Sequence, residues 1–305
     1  MGQVKNGHSD FWYHVAAFAM ILVWGISFLN TRVLLDAGLT PTEIFVARFT
    51  IAYLSLLVIS RFKVRYTGWR DELLFVVCGV AGGSAYFIAE NTALELTLIS
   101  DVAVLVCTAP LTTALMGAIF YRDERISFMT LVGMVIAFIG SVMLALKDGF
   151  VWGDSILGDL LALLAAFVWA FYSMALKRLN RTYTTLFITR KLFFYGIISA
   201  LPFLAMEDHH PDLQLLGQPV VWGNLVYLGL ICSLAAYFIW GITVKRIGAV
   251  RASNYFYLSP IISMISAAIW FGERANAIAY IGCVLIMGGV IIAEKFKRSP
   301  EPANQ

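Results

Sequence analysis

Long apolar stretches separated by short polar turns run through the whole 305-residue chain. Each is about 20 residues long, the length an α-helix needs to cross the hydrocarbon of a bilayer. The pattern predicts ten helices, over residues 11–35, 42–60, 71–97, 99–121, 127–146, 156–179, 184–205, 221–244, 250–271 and 276–294. The expected fold class is therefore all-α integral membrane. A membrane β-barrel would read as short alternating segments instead. The longest connections, Arg61 to Arg70, Lys147 to Ser155 and Glu207 to Val220, leave no room for a soluble domain. The stretch from Phe11 to Leu35 is too long for a signal-peptide core and lacks a small-residue cleavage site, so it is expected to remain as the first helix.

Composition agrees with the pattern. Hydrophobic residues make up 60% of the chain and charged residues 13%, against about 25% charged in soluble domains. The few charges are unevenly placed. With the N-terminus in the cytoplasm, sixteen of the 22 Lys and Arg fall in cytoplasmic segments and three, Arg32, Lys147 and Arg274, fall outside. Arg48, Arg190 and Lys191 lie within helices. By the positive-inside rule both termini are expected in the cytoplasm, and a short ten-helix chain fits a bacterial inner membrane. A net charge of +3 with no basic stripe outside these loops gives nucleic-acid binding no support.

The chain also repeats itself. Pro110, in Ala-Pro-Leu-Thr-Thr-Ala, and Pro260, in Ser-Pro-Ile-Ile-Ser-Met, lie 150 residues apart. The fourth and ninth helices both end in an aromatic pair and an acidic turn, Phe120-Tyr121-Arg122-Asp123-Glu124 and Trp270-Phe271-Gly272-Glu273. Gly133 and Gly140 in the fifth helix answer to Gly282 and Gly289 in the tenth. Trp24 matches Trp169, and Phe45-x-x-Arg48 matches Phe187-x-x-Arg190. The halves divide at residues 1–147 and 148–305. Five helices per half is an odd number, so the second half sits inverted in the bilayer. Inverted repeats characterise alternating-access transporters, whose substrate site lies near the midplane between the halves.

These residues carry a family resemblance. Trp24-Gly25-Ile26-Ser27-Phe28, Ala47-Arg48-Phe49, the proline-to-glutamate segments 110–124 and 260–273 and the glycine-paired fifth and tenth helices resemble the EamA-like type of the drug/metabolite transporter superfamily, over residues 11–296. The resemblance implies two inverted five-helix halves around a central cavity, and export of amino acids, metabolites, amines or drugs. Trp169-Ala170-Phe171-Tyr172 lacks the Gly and Ser of the first-half motif, so the two halves are not expected to bind substrate symmetrically.

Glu90, in Ala85-Tyr86-Phe87-Ile88-Ala89-Glu90-Asn91, is the leading chemical candidate. Nine residues, about 13 Å of helix, separate it from Ile99. A carboxylate inside a membrane is costly and usually faces a cavity. It can bind an ammonium group or exchange a proton; the structural alternative is an ion pair with Arg48, Arg190 or Lys191. Tyr86, Phe87 and Glu90 share one helix face. Ser233, Tyr237 and Trp240 share another, as do Trp169, Tyr172 and Ser173, while Asn254, Tyr257 and Pro260 come within reach of one another. Trp24 and Phe28 are expected to stack. Aromatic walls around one carboxylate suit an amine or an aromatic amino acid; ordinary helix packing would place aromatics the same way. Arg48 and Arg190, at repeat-equivalent positions, can hold a substrate carboxylate, close a gate with Glu43 or Glu90, or simply pair with helix ends. Pro110 and Pro260 favour kinks that let their helices bend around the cavity. The glycine pairs predict close packing of the fifth helix on the tenth, away from substrate.

Other motifs add little. Cys78, Cys107, Cys232 and Cys283 sit in apolar runs without metal spacing and read as packing residues. Glu207-Asp208-His209-His210 reads as a solvated loop before a metal site. Gly79-Val80-Ala81-Gly82-Gly83 has neither the strand nor the Lys-Ser/Thr of a phosphate loop. No nucleotide-binding module, diphosphate-binding aspartate pair or nucleophile with its base is present, so the chain reads as no enzyme and as needing no cofactor. The expected function is secondary transport, with export of amino acids or amphipathic amines by alternating access and the proton as the candidate coupling ion. Transport of sugars or nucleosides, or ligand sensing without flux, remain the alternatives. The expected partners are a small-molecule substrate and the lipid bilayer, and the expected assembly is a monomer or weak homodimer.

Overall fold

A computed structural model describes residues 7–60, 66–97, 99–121, 127–145, 156–207, 215, 217–271 and 277–296. Among these residues the helical segments join into ten rods. They are α1 (Gly7–Asp36), α2 (Pro41–Ile59), α3 (Trp69–Leu96), α4 (99–120), α5 (Phe128–Ala145), α6 (Ile156–Leu179), α7 (Thr185–Met206), α8 (Pro219–Ile247), α9 (249–271) and α10 (Ala277–Lys295). The predicted helices match to within a few residues, except that α1 begins four residues early. Seven rods, α1–α4 and α6–α8, are each long and apolar enough to span a bilayer, and α5 and α10 contain shorter apolar helices. Large apolar side chains such as Leu22, Val58, Ile139, Phe167, Ile198, Ile265 and Val284 are exposed around the bundle. That is the surface of an integral membrane protein, whose outer solvent is lipid.

Four of the rods are not simple α-helices. α4 breaks into Ile99–Val106 and Ala109–Phe120, with Pro110 at the start of the second piece. α9 runs as Ala249–Ser253, a 3₁₀ segment Asn254–Leu258 and Ser259–Phe271, with Pro260 again second in its helix. Proline is well placed there, because the first amides of a helix have no intrahelical partner to lose. The discontinuity thus falls one turn before each proline. α3 and α8 carry π-helical segments, Val80–Ser84 and Tyr227–Ala235, at corresponding places in the two halves. Such segments widen a helix locally and often accompany functional sites. Gly79 precedes the first of them, and Gly82 and Gly83 lie within it.

The halves interlock by exchange. α1 packs on α8 and α9 of the other half, while α6 packs on α3 and α4. α2 lies against α7 and α8, and α3 against α7. α5 and α10 form a seam that is the most extensive helix–helix contact among the described residues. A Cβ on Gly289 would stand 2.5 Å from Gly133 O and 2.8 Å from Ala137 Cα, and one on Gly140 would stand 2.7 Å from Gly282 O. The backbones touch there because the glycines have no side chain. This seam leaves α1, α3, α4, α6, α8 and α9 to enclose the middle of the bundle.

Candidate functional site

The centre of the bundle holds a chamber lined by Ile21, Trp24, Ser27 and Phe28 of α1, Tyr86, Phe87 and Glu90 of α3, Val106 of α4, Trp169 of α6, and Phe256 and Ser259 of α9. Its free volume is about 20 Å³, room for one water molecule. Both halves contribute to the wall. Trp24 and Trp169, the repeat-equivalent tryptophans, meet edge to face at 5.5 Å. Trp24 also stacks on Phe256, with ring centroids 5.8 Å apart and planes 15° apart, and its Nε1 donates to Cys232 O at 2.9 Å. The expected stacking partner, Phe28, lines the chamber elsewhere. Trp169 in turn contacts Tyr86 at 5.0 Å and Phe256 at 5.3 Å.

Glu90 is 6% exposed and accepts a 2.5 Å hydrogen bond from Tyr86 Oη, one turn earlier on α3. Because α3 ends at Leu96, six residues on, Glu90 lies about 9 Å from the helix end. Its close partner is a phenol, whereas Lys191 pairs with Glu72 and Arg48 donates from Nε to Ser233 Oγ at 2.9 Å. Arg48 is 1% exposed, with its guanidinium carbon 4.3 Å from the centroid of Phe87, a chamber residue. The cation thus sits one ring behind the chamber wall. Its Nη2 has no hydrogen-bond partner, and neither have Trp169 Nε1, Trp240 Nε1, Ser173 Oγ and Tyr257 Oη. Buried polar groups are normally satisfied. Of these donors Trp169 Nε1 belongs to a chamber residue and Arg48 Nη2 to the cation packed on the chamber's Phe87, so these two stand nearest to an acceptor bound there.

The remaining candidates take supporting positions. Tyr172, Tyr237 and Trp240 form a second ring of aromatics. Tyr172 contacts Trp169 at 4.9 Å, and Tyr237 and Trp240 meet Trp24 at 5.9 and 5.3 Å. Tyr237 Oη donates to Gly82 O, 2.6 Å away in the π segment of α3. Asn254 and Tyr257 are buried on the 3₁₀ segment of α9 but stand outside the chamber lining. Phe256, between them, enters it. Glu43 does not meet Arg48: it belongs to a capping box at the start of α2, where Thr40 N donates to Glu43 Oε2 at 2.8 Å and Glu43 N to Thr40 Oγ1 at 3.1 Å. Arg190 lies at the other end of the bundle, donating to Ser60 Oγ at 3.2 Å. The two helix breaks touch across the bundle, where Cys107 Sγ donates to Phe256 O at 3.1 Å.

Among the described residues no group of His, Cys, Asp and Glu is placed to hold a metal. The candidate loop 208–210 and the acidic turns 122–124 and 272–273 lie outside the described residues.

Ten rods in two five-helix halves around a closed aromatic chamber define a membrane transporter of the inverted-repeat class. The chain belongs to the EamA-like transporter family, whose pattern matches it twice, over residues 11–146 and 156–294. It is 28% identical over 285 residues to a "probable terminal-alkyne amino-acid exporter" of Streptantibioticus cattleyicolor, a match covering 92% of this chain and 93% of that one. It is 26% identical over 291 residues to a "probable amino-acid metabolite efflux pump" of Escherichia coli, covering 91% and 93%. A solved crystal structure of a protein 23% identical superposes with a TM-score of 0.73 over 92% of this chain and 98% of that one, which speaks for the fold alone.

Proposed function

We propose that this transporter exports amino acids with apolar or aromatic side chains, binding them as zwitterions in the central chamber. One observation carries the reading: an acid, Glu90, stands in an aromatic chamber wall while a buried cation, Arg48, waits one ring behind it with a donor to spare. Glu90 takes the ammonium group. The substrate side chain lies among Trp24, Tyr86, Trp169 and Phe256. Its carboxylate is held by Arg48 and by the unpaired indole Nε1 of Trp169, once the chamber opens past Phe87. A plain organic cation would leave those donors unmet. The names borne by the two amino-acid-exporting relatives agree with this class.

Small-molecule pockets run to about 300 Å³ or more, so the present chamber of about 20 Å³ must widen for substrate to enter. Movement between the halves falls to the breaks before Pro110 and Pro260, joined by the Cys107–Phe256 contact, and to the π segments of α3 and α8. The α5–α10 seam stays closed as the hinge side. Glu90 cannot hold a proton and an ammonium group together. Proton and substrate therefore compete for it, which allows inward proton flow to drive outward substrate flow. The basic end of the bundle, with both termini, faces the cytoplasm, and a single chain suffices because it contains both halves.

The test is thermal unfolding of the purified protein with a matched set of ligands: an aromatic amino acid, its decarboxylated amine, its N-acetyl derivative, a sugar and a nucleoside. A ligand at 100 times its Kd stabilises by about 2.7 kcal/mol. The amino acid is expected to raise Tm well above the amine and the N-acetyl derivative. Equal shifts from amine and amino acid would remove Arg48 from the site, and a shift from sugar or nucleoside alone would overturn the reading.

A further inference from the structure

A second polar cavity lies far from the central chamber. It has a volume of about 200 Å³ and is lined by Tyr53 of α2, Glu72 of α3, Arg190, Lys191, Phe194 and Tyr195 of α7, and Tyr66, which precedes α3. Glu72 is three residues into α3, and Ser60, against Arg190, closes α2, so the cavity sits at the level of the helix ends. That is where a bilayer passes from hydrocarbon to headgroups. Tyr66 and Trp69 are about two-thirds exposed beside it, as interfacial aromatics are. Phe194 in its wall is 40% exposed, and Val58 and Ile198 of the same two rods face outward. The cavity therefore opens sideways, toward lipid.

Its charges do not balance. Lys191 is neutralised by Glu72, which also accepts a 2.5 Å hydrogen bond from Tyr195 Oη. Arg190 is 4% exposed, and its hydrogen-bond partner is the neutral Ser60 hydroxyl. Its Nη2 has no partner at all. A buried guanidinium without a carboxylate is expensive at membrane depth. It lines an open cavity at the basic end of the bundle, and the sequence that connects α2 to α3, Arg61-Phe62-Lys63-Val64-Arg65, carries three cationic residues and no acid. We propose that this cavity between α2, α3 and α7 binds the phosphate of an anionic phospholipid headgroup, with Arg190 as its principal ligand. The planar guanidinium fork matches two phosphate oxygens. Tyr53 and Phe194 cover the glycerol and first acyl carbons. Basic cavities between membrane helices on the cytoplasmic side are suited to this chemistry. The repeat-equivalent arginines thus serve different ligands: Arg48 stands behind the central chamber and Arg190 faces the membrane.

The full-length protein in neutral detergent can be titrated with short-chain phosphatidylglycerol, short-chain phosphatidylcholine and inorganic phosphate, followed by thermal unfolding and native mass spectrometry. The anionic lipid is expected to raise Tm and remain bound, and the zwitterionic lipid to do neither. Arg190→Gln should weaken phosphatidylglycerol binding about five-fold or more, the worth of one cation at an anionic surface. Ser60→Asp gives Arg190 a carboxylate of its own and should abolish the lipid effect without removing a charge from the cavity. This variant keeps the test decisive if Arg190→Gln fails to fold. Equal response to both lipids, or undiminished phosphatidylglycerol binding in the Ser60→Asp protein, would overturn the proposal. Saturation by inorganic phosphate with no added effect of phosphatidylglycerol would replace the lipid by a free anion and overturn it equally.

Discussion

Two adjacent glycines on α10 should respond in opposite ways to the same substitution. Gly289 faces α5, where an added Cβ would stand 2.5 Å from Gly133 O and 2.8 Å from Ala137 Cα. Gly288 has nothing within 4 Å of the same atom. The atoms in the way at Gly289 are backbone, which cannot rotate aside, so ordinary van der Waals contact requires the rods to separate by nearly 1 Å. Overpacking of this kind costs about 1–3 kcal/mol. Gly288→Ala removes a poor helix former at an open position and should be neutral or stabilising by up to about 1 kcal/mol. Thermal unfolding in detergent, at 2–4 °C per kcal/mol for chains approaching this size, should place Gly289→Ala roughly 2–12 °C below the native protein and Gly288→Ala level with or above it. Gly133→Ala meets the same obstacle from the other side, at 2.6 Å from Gly289 O. Once one alanine has parted the seam the second costs less, so the double variant should lose less than the two losses combined. Equal Tm for Gly288→Ala and Gly289→Ala would refute the reasoning that α5 and α10 touch through their backbones.

Two further outcomes follow from the site and its supports. Thr40→Ala removes the α2 cap and the 2.8 Å bond from Thr40 Oγ1 to Glu207 Oε2 at the end of α7, so it should destabilise by about 1–3 kcal/mol, while Thr40→Ser restores both; thermal unfolding reads the difference. Trp169→Phe keeps an aromatic ring but loses the unpaired Nε1 donor; one hydrogen bond nets about 0.5–1.5 kcal/mol, so amino-acid affinity should fall roughly 2- to 10-fold, and the decarboxylated amine should bind undiminished.

The helices were legible in the sequence because a bilayer demands runs of about 20 apolar residues and tolerates few charges within them. The seam was legible because small residues seven apart return to nearly one helix face. What escaped was helix geometry that departs from 3.6 residues per turn. Asn254, Tyr257 and Pro260 are three apart, a spacing that keeps them within reach of one another on a 3₁₀ turn as on an α-helix, so it did not show which side of α9 meets the chamber. In the 3₁₀ segment Asn254–Leu258 it is Phe256, and not Asn254 or Tyr257, that lines the chamber. The π segments of α3 and α8 leave no periodic trace, and the glycines of 79–83 show only that something packs closely there. Trp24 and Phe28 are four apart on α1 and were expected to stack, but the indole is drawn across the bundle by Cys232 O and Phe256. Partnering across a three-dimensional interface is not written in the local spacing. Arg48 and Arg190 illustrate the same limit. Identical positions in the repeat gave no sign that one lies behind a chamber residue and the other in a lateral cavity, because their partners come from different helices: Arg48 meets Ser233 of α8 and Phe87 of α3, and Arg190 meets Ser60 at the end of α2.

The most direct test of the account is amino-acid flux into proteoliposomes, with and without an imposed pH gradient, comparing the native protein with Glu90→Gln. Glutamine keeps the size of the side chain and an acceptor for Tyr86 Oη, but can neither take an ammonium group as a charge partner nor exchange a proton. A charge-assisted hydrogen bond is worth about 1.5–3 kcal/mol, so flux at low substrate concentration should fall roughly 10- to 150-fold. The pH gradient should accelerate the native protein and leave the remaining flux of the variant unchanged. Equal flux and the same response to pH in both proteins would contradict the central claim that Glu90 is where substrate and proton compete.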